Sequence, residues 1–271
     1  MGHAVARLSW GRKGTGHGYA IYRGITTGLN DAFIIDNQTK EALIAEDPKS
    51  AEVIKPVLRG RDIQRYQALW RQLWLIATFP ALTLNIDDYP AVKRHLLSFG
   101  KQRLEQSGKR LPNGARSRKK TTNAWFEMQD TCAYHEQFSS QKLFWADMAT
   151  KGRFAFSDQE VYCNNKGYII TGEPLKYLCA VLNSAPITWW VRNTAATTGM
   201  GLTEWTIATV ERLPVPRITY DRQSSFVRLV DRILDANIDQ TELAHLESEI
   251  DGLVCDLYGL NADEIQAITR K

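Results

Sequence analysis

Short strand-like apolar stretches dominate the first part of this chain and apolar positions at helical spacing dominate the last, and the change divides it. In "YAIYRGITTG" (19–28) and "DAFIID" (31–36), strand-forming residues flank a glycine, asparagine and aspartate cluster. Glycine supplies positive φ, and Asn30 and Asp31 can bond their own backbone, so two short strands around a turn at Gly28 to Asp31 are predicted. "QLWLIATF" (72–79) is apolar throughout, which predicts a third, central strand. Pro90 then opens a helical pattern behind the acidic Asp87 and Asp88, with Val92, Leu96 and Phe99 on one face. Further on, "KLFWAD" (142–147) reads as a strand. "EVYCNNKGYIIT" (160–171) reads as a hairpin turning at Asn-Asn-Lys-Gly.

From residue 173 helical spacing takes over. Leu175, Leu178, Leu182 and Trp189 stand at near-helical spacing, and Pro186 begins a new turn. "LPVPRITYDR" (213–222) carries two prolines one residue apart and predicts an extended connector. Beyond it Phe226, Leu229, Val230, Ile233 and Leu234 form one stripe, and Leu243, Leu246, Ile250, Leu253 and Leu257 form a short heptad-like seam. Gly259 suits the end of that helix, and Asn261 with Glu264 suits the start of a last one. Strands and helices do not alternate regularly, so the expected class is α+β: a mixed-sheet domain over residues 23–217 and a helical subdomain over 218–271. Residues 1–22, including the glycine-rich "GRKGTGHG" (11–18), are expected to be a linker leading into a strand.

Composition narrows the function by exclusion. Apolar residues make up 44% and charged residues 24% of 271, values of an ordinary globular protein. No run of 18 apolar residues and no secretory leader is present, so no membrane partner and a cytoplasmic location are expected. Cys132, Cys163, Cys179 and Cys255 are scattered, and the five histidines lack ligand spacing, so no metal is expected. The glycine-rich stretch matches neither the phosphate-binding loop nor the dinucleotide fingerprint. The nearest match to a nuclease pattern is Asp36 followed by Asp47-Pro48-Lys49. No two prolines are adjacent anywhere, so the N-P-P-[YF] loop that holds a flipped adenine in amino-methyltransferases is absent. No catalytic residue and no cofactor site are therefore expected in this chain.

One segment departs from the even charge balance. Residues 101–120, "KQRLEQSGKRLPNGARSRKK", hold Lys101, Arg103, Lys109, Arg110, Arg116, Arg118, Lys119 and Lys120 against the single acid Glu105, whereas the whole chain has 34 basic and 30 acidic residues. These cations read as a segment that contacts the phosphates of duplex DNA, with Arg116, Arg118, Lys119 and Lys120, beside Gly114 and Ser117, as a mobile loop that follows the backbone; a solvated face is the plainer alternative. Trp125 and Phe126 follow closely and suit an ordered surface as well as a binding one.

Six stretches then occur in a telling order: "RGITTGLNDAFIID" (23–36), "DPKSAEVIKPVLRGRDIQRY" (47–66), "LWLI" (73–76), "IDDYPAVKRHLLSF" (86–99), "YLCAVLNSAPITWW" (177–190) and "VERLPVP" (210–216). Together they resemble the TaqI-like C-terminal specificity domain of adenine-specific DNA methyltransferases, the single-chain restriction-modification enzymes of Type IIG and their phage-defence relatives. The resemblance spans about residues 20 to 217. It implies a target recognition domain that grips double-stranded DNA and reads bases, beside an upstream methyltransferase domain that binds S-adenosylmethionine. It also implies that Gly24, Gly28, Asn30, Asp31, Gly60 and Asn183 are turn and packing residues, with base readers in the variable segments between them. Two other readings stay open from the residues alone: a protein-interaction module on the C-terminal seam, and a metal-dependent nuclease around Asp36 and Asp47.

Overall fold

The protein was analysed as a computed structural model that describes residues 18–198 and 201–269; the linker reading of residues 1–17 lies outside them. In chain order, β1 (Ala20–Arg23) is followed by α1 (Asn30–Phe33), β2 (Ile34–Ile35) and α2 (Asn37–Glu46). Next come β3 (Ile54–Leu58), β4 (Trp74–Ile76), α3 (Pro90–Ser98) and α4 (Lys101–Leu104). The middle of the chain supplies β5 (Lys142–Ala146), β6 (Met148–Ala149), β7 (Phe154–Ser157), β8 (Tyr162–Cys163) and β9 (Gly167–Thr171). The last third is mostly helical: α5 (Leu175–Asn183), α6 (Ala185–Thr194), β10 (Thr203–Glu204), α7 (Ile207–Val210), α8 (Tyr220–Ile233), α9 (Gln240–Tyr258) and α10 (Ala262–Thr269). The class is α+β, as expected.

Two four-stranded sheets organise these elements, in the orders β1-β9-β5-β7 and β2-β4-β3-β8. The second is mixed, because β3 runs antiparallel to β4 but parallel to β8. The first is shared by two hydrophobic cores. Alternate side chains of a strand point to opposite faces, so Phe144, Ala155 and Ile169 enter the core built around α1, α3 and the second sheet. Leu143, Trp145, Phe154 and Ile170 enter the core built with α5, α6, α8 and α9. The helices after residue 218 thus share a core with the strands before it. Leu246, Ile250 and Val254 are buried in that core and Leu243, Leu253 and Leu257 pack against it, so the heptad-like seam faces the fold rather than a partner.

Local chemistry explains several helix ends. Asp36 Oδ1 accepts from Thr39 N at 2.8 Å and starts α2, which holds its carboxyl below the usual range. Asp47 accepts from Lys49 N at 3.2 Å and Ser50 Oγ at 3.1 Å and starts the next short helix. Both acids of the nuclease-like pattern are therefore helix caps. Pro90 and Pro186 sit in the first turns of α3 and α6, Gly259 closes α9 with φ 65°, and Asn261 with Glu264 forms the reciprocal cap of α10.

Strand pairing differs from the sequence expectation. The two strands expected around the turn at Gly28 to Asp31 do not pair with each other: β1 pairs with β9 and β2 pairs with β4. "DAFIID" is a helical turn before a two-residue strand, and Asn30 Oδ1 accepts from the Thr27 hydroxyl at 2.8 Å instead of serving its own backbone. The hairpin predicted over 160–171 keeps its turn, with Gly167 N donating to Asn164 O at 2.9 Å, but its arms join different sheets. Close backbone approach fixes this crossover. A Cβ on Gly24 would stand 2.0 Å from Asn164 O, and one on Gly60 would stand 2.6 Å from Lys166 O, so both glycines seat the turn that links the sheets. Among the described residues, no helix is long and apolar enough to cross a membrane.

Candidate nucleic-acid interface

The basic segment is an ordered ribbon with a buried root. After α4, Gln106 turns inward: its side chain donates to Ala124 O at 3.2 Å and Glu127 O at 3.0 Å and accepts from Thr121 Oγ1 at 2.7 Å. The chain then runs out and back. Gly108 N donates to Arg118 O at 2.9 Å, Ser117 N to Lys109 O at 2.9 Å and Leu111 N to Ala115 O at 2.8 Å. The Ser107 and Ser117 hydroxyls meet at 2.8 Å across the root. The result is a two-stranded ribbon over 108–118 rather than the mobile loop expected from Gly114 and Ser117.

Arg118 is the main correction. It is only 4% exposed, so it is not displayed to a phosphate. Its guanidinium donates to Leu104 O at 2.7 Å, Thr27 O at 3.0 Å, Glu127 O at 2.7 Å and Trp125 O at 2.6 Å, and lies 5.1 Å from the Phe33 ring centre. Burial lowers its pKa to about 10, with Glu127 opposing, so it stays charged at neutral pH. A planar fork with five donors suits this bridging of carbonyls. Gly28 makes room for it: with φ 80°, a Cβ there would stand 2.8 Å from Arg118 Cδ. The Thr27-Gly28 turn near the start of the chain therefore seats the root of the ribbon.

The other predicted cations are displayed. Lys101, Lys109, Arg110, Arg116, Lys119 and Lys120 are exposed and Arg103 is half-buried. Among the described residues none of these seven forms an ion pair. Lys101 Nζ lies 6.0 Å from the Trp125 ring centre, at the ribbon's foot. Arg110 and Arg116 stand directly opposite one another between the two backbone bonds just described, which makes them a non-hydrogen-bonded pair with side chains close together. Two facing cations repel unless an anion stands between them. The ribbon can therefore present a row of cations to a polyanion from a root held by buried hydrogen bonds.

The remaining resemblance residues act as scaffold. Asn183 Nδ2 donates to Phe154 O at 2.8 Å while its Oδ1 accepts from Phe154 N at 3.0 Å, which ties α5 to β7. Within "VLRGRDIQRY", Asp62 is clasped by Arg59 through Nε at 2.9 Å and a terminal nitrogen at 3.0 Å, and Arg65 reaches Glu247 on α9 at 3.1 Å. Arg61 in the same motif is exposed and forms no ion pair among the described residues, as does Arg23 beside Gly24. Lys151 and Arg192, cations beside α6, also escaped the sequence reading, because isolated basic residues carry no local signal.

A family model, the TaqI-like C-terminal specificity domain, matches residues 55–215. Among solved structures, the Type IIL restriction-modification enzyme MmeI in complex with DNA aligns with a TM-score of 0.64 and 14% identity, over 92% of this chain and 35% of that one. The type IIG restriction endonuclease BpuSI aligns with a TM-score of 0.46 and 11% identity, over 89% of this chain and 31% of that one. This chain thus spans about a third of the length of these structures. No curated protein matches it.

Proposed function

The chain belongs to the TaqI-like C-terminal specificity domain family, and on that premise we propose that it is the part of a restriction-modification protein that recognises double-stranded DNA. The observation that carries the proposal is the ribbon with its flanks: Lys109, Arg110 and Arg116 on the ribbon and Lys101, Lys119 and Lys120 beside it are exposed and form no ion pair among the described residues, on a root fixed by Gln106 and Arg118. In this reading the exposed cations grip phosphates and set register, while bases are read from the variable segments between the scaffold motifs. Methyl transfer to adenine from S-adenosylmethionine belongs to an upstream domain of the parent protein. This chain lacks both the adenine-holding loop and a cofactor glycine motif, which supports a reading role without a catalytic centre of its own.

The test is an exchange. Residues 100–175 of the full-length parent are replaced by those of a relative with another target, and methylated sites are mapped in cells. The expected outcome is a changed methylated sequence with methylation retained. An unchanged target in a folded, active exchange places the readers outside these residues and contradicts the proposal.

A further inference from the structure

A second cationic site lies in the other core, away from the ribbon. A cavity of about 170 Å³ opens beside α6, and its lining includes Arg65, Lys151, Thr188, Trp189, Arg192 and Asp251. Two of these hold the wall. Arg65 donates to Glu247 Oε2 at 3.1 Å and to Asn183 O at 2.7 Å, and Asp251 Oδ1 accepts from Ala185 N at 2.7 Å at the start of α6. The two cations at the cavity that remain are not so committed. Arg192 donates through Nε to Thr150 O at 3.2 Å, which orients the guanidinium and leaves its terminal nitrogens available. Lys151 has no hydrogen bond or ion pair among the described residues, although its charge helps to hold Asp251 and Glu247 ionised against their burial.

The aromatic neighbour specifies the ligand further. Trp189 is 41% exposed, a high value for an indole, and stands three residues before Arg192 on α6, so the two share a helix face. The terminal nitrogens of the guanidinium and the Lys151 ammonium can together bind an oxyanion, with the guanidinium able to bind a phosphate in bidentate fashion. An exposed indole presents a face on which a planar ring can stack. Asp251 keeps a second carboxylate oxygen that can accept from an exocyclic amine. Oxyanion, flat ring and amine donor occur together in a nucleotide.

We propose that this cavity binds a nucleoside monophosphate unit, with the phosphate between Lys151 and Arg192 and the base stacked on Trp189. The unit is either an unpaired nucleotide of DNA or a free nucleotide. The site does not depend on the ribbon's role, so it stands or falls separately from the proposed function.

Calorimetric titrations of the full chain with dAMP, dCMP, the corresponding nucleosides and inorganic phosphate test the site. Anisotropy then compares a blunt duplex with the same duplex carrying a one-nucleotide overhang. The monophosphates are expected to bind better than either half alone. Lys151→Ala with Arg192→Ala, and separately Trp189→Ala, are each expected to weaken that binding about tenfold or more. All three residues lie at the surface of the cavity, and unchanged thermal unfolding of the variants confirms that they fold. An overhang preference lost in the same variants identifies DNA as the source, and nucleotide binding without such a preference identifies a free nucleotide. The proposal is overturned if neither monophosphates nor the overhang bind preferentially, or if binding survives both variants. Equal affinity for inorganic phosphate and nucleotide overturns the stacking role of Trp189.

Discussion

Arg116 and Arg118 stand two residues apart in one basic run, and the fold gives them unrelated work. Arg116 is exposed on the ribbon, whereas Arg118 supplies donors to four backbone carbonyls at its root. Replacing Arg118 by alanine leaves those acceptors buried without donors and is expected to cost about 3–5 kcal/mol, against a change of under about 0.5 kcal/mol in either direction for Arg116→Ala. Urea midpoints at constant slope measure both, and equal losses would refute the assignment. Composition marked this run as basic but could not separate the two arginines, because the carbonyls that claim Arg118 come from residues 27, 104, 125 and 127. Lys142 shows the same limit. It lies fully buried in β5, donating to Ser140 O at 2.9 Å and Gln159 O at 2.7 Å, and burial lowers its pKa to about 8 from 10.5. As pH rises through about 8 the folded state releases this proton while the unfolded state keeps it to about 10.5. Stability from this group therefore increases across that window, by at most about 1.4 kcal/mol per pH unit, and the cost of the buried charge is fully present below it. Relative to Lys142→Met, the wild-type unfolding free energy is expected to rise between pH 8 and 10; parallel curves would contradict the shift.

Helical elements were the most legible. The apolar stripes that define α3, α5, α6, α8 and α9, and the caps at Pro90, Pro186, Gly259 and Asn261, follow from spacing within a single element. Strand positions were legible too, but not their partners. β1 pairs with a strand that begins at residue 167, and the Asn164–Gly167 turn joins two sheets instead of closing a hairpin. Those pairings are set by contacts distant in sequence, such as Gly24 against Asn164 and Gly60 against Lys166. The ribbon over 108–118 was hidden because its glycine, serine and proline content also suits a mobile loop. Its facing pair Arg110 and Arg116 yields an expectation that a mobile loop would not share. Arg110→Ala is expected to stabilise the DNA-free protein by a few tenths of a kcal/mol, since it removes a cross-strand repulsion, while weakening its hold on duplex DNA. Thermal unfolding with and without DNA reads both signs. A loss of stability without DNA would show that the two arginines do not face one another.

At the scale of the molecule, one sheet serves two cores, so the specificity-domain region and the helices after residue 218 are joined by packing. The seam that left a protein-interaction reading open is spent in that packing, and the two acids of the nuclease-like pattern are spent as caps. Two charged features face outward: the ribbon beside one core and the cavity beside α6 at the other. The class was readable from the irregular order of strand and helix patterns, the family from the resemblance of six ordered motifs and the basic segment from its charge, whereas the division of that segment into root and display needed the tertiary contacts of Gln106 and Arg118. The central claim is that the displayed cations neutralise DNA phosphates. Its most direct test is the affinity of the full chain for a duplex as a function of salt, in the wild type and in a variant with Lys101, Lys109, Arg110, Arg116, Lys119 and Lys120 changed to alanine and Arg118 kept. Each neutralised phosphate contributes nearly one unit to the slope of log affinity against log salt, so the variant is expected to flatten that slope by roughly 3 to 5. An unchanged slope in the folded variant, or a wild type that binds no duplex at low salt, would contradict the account.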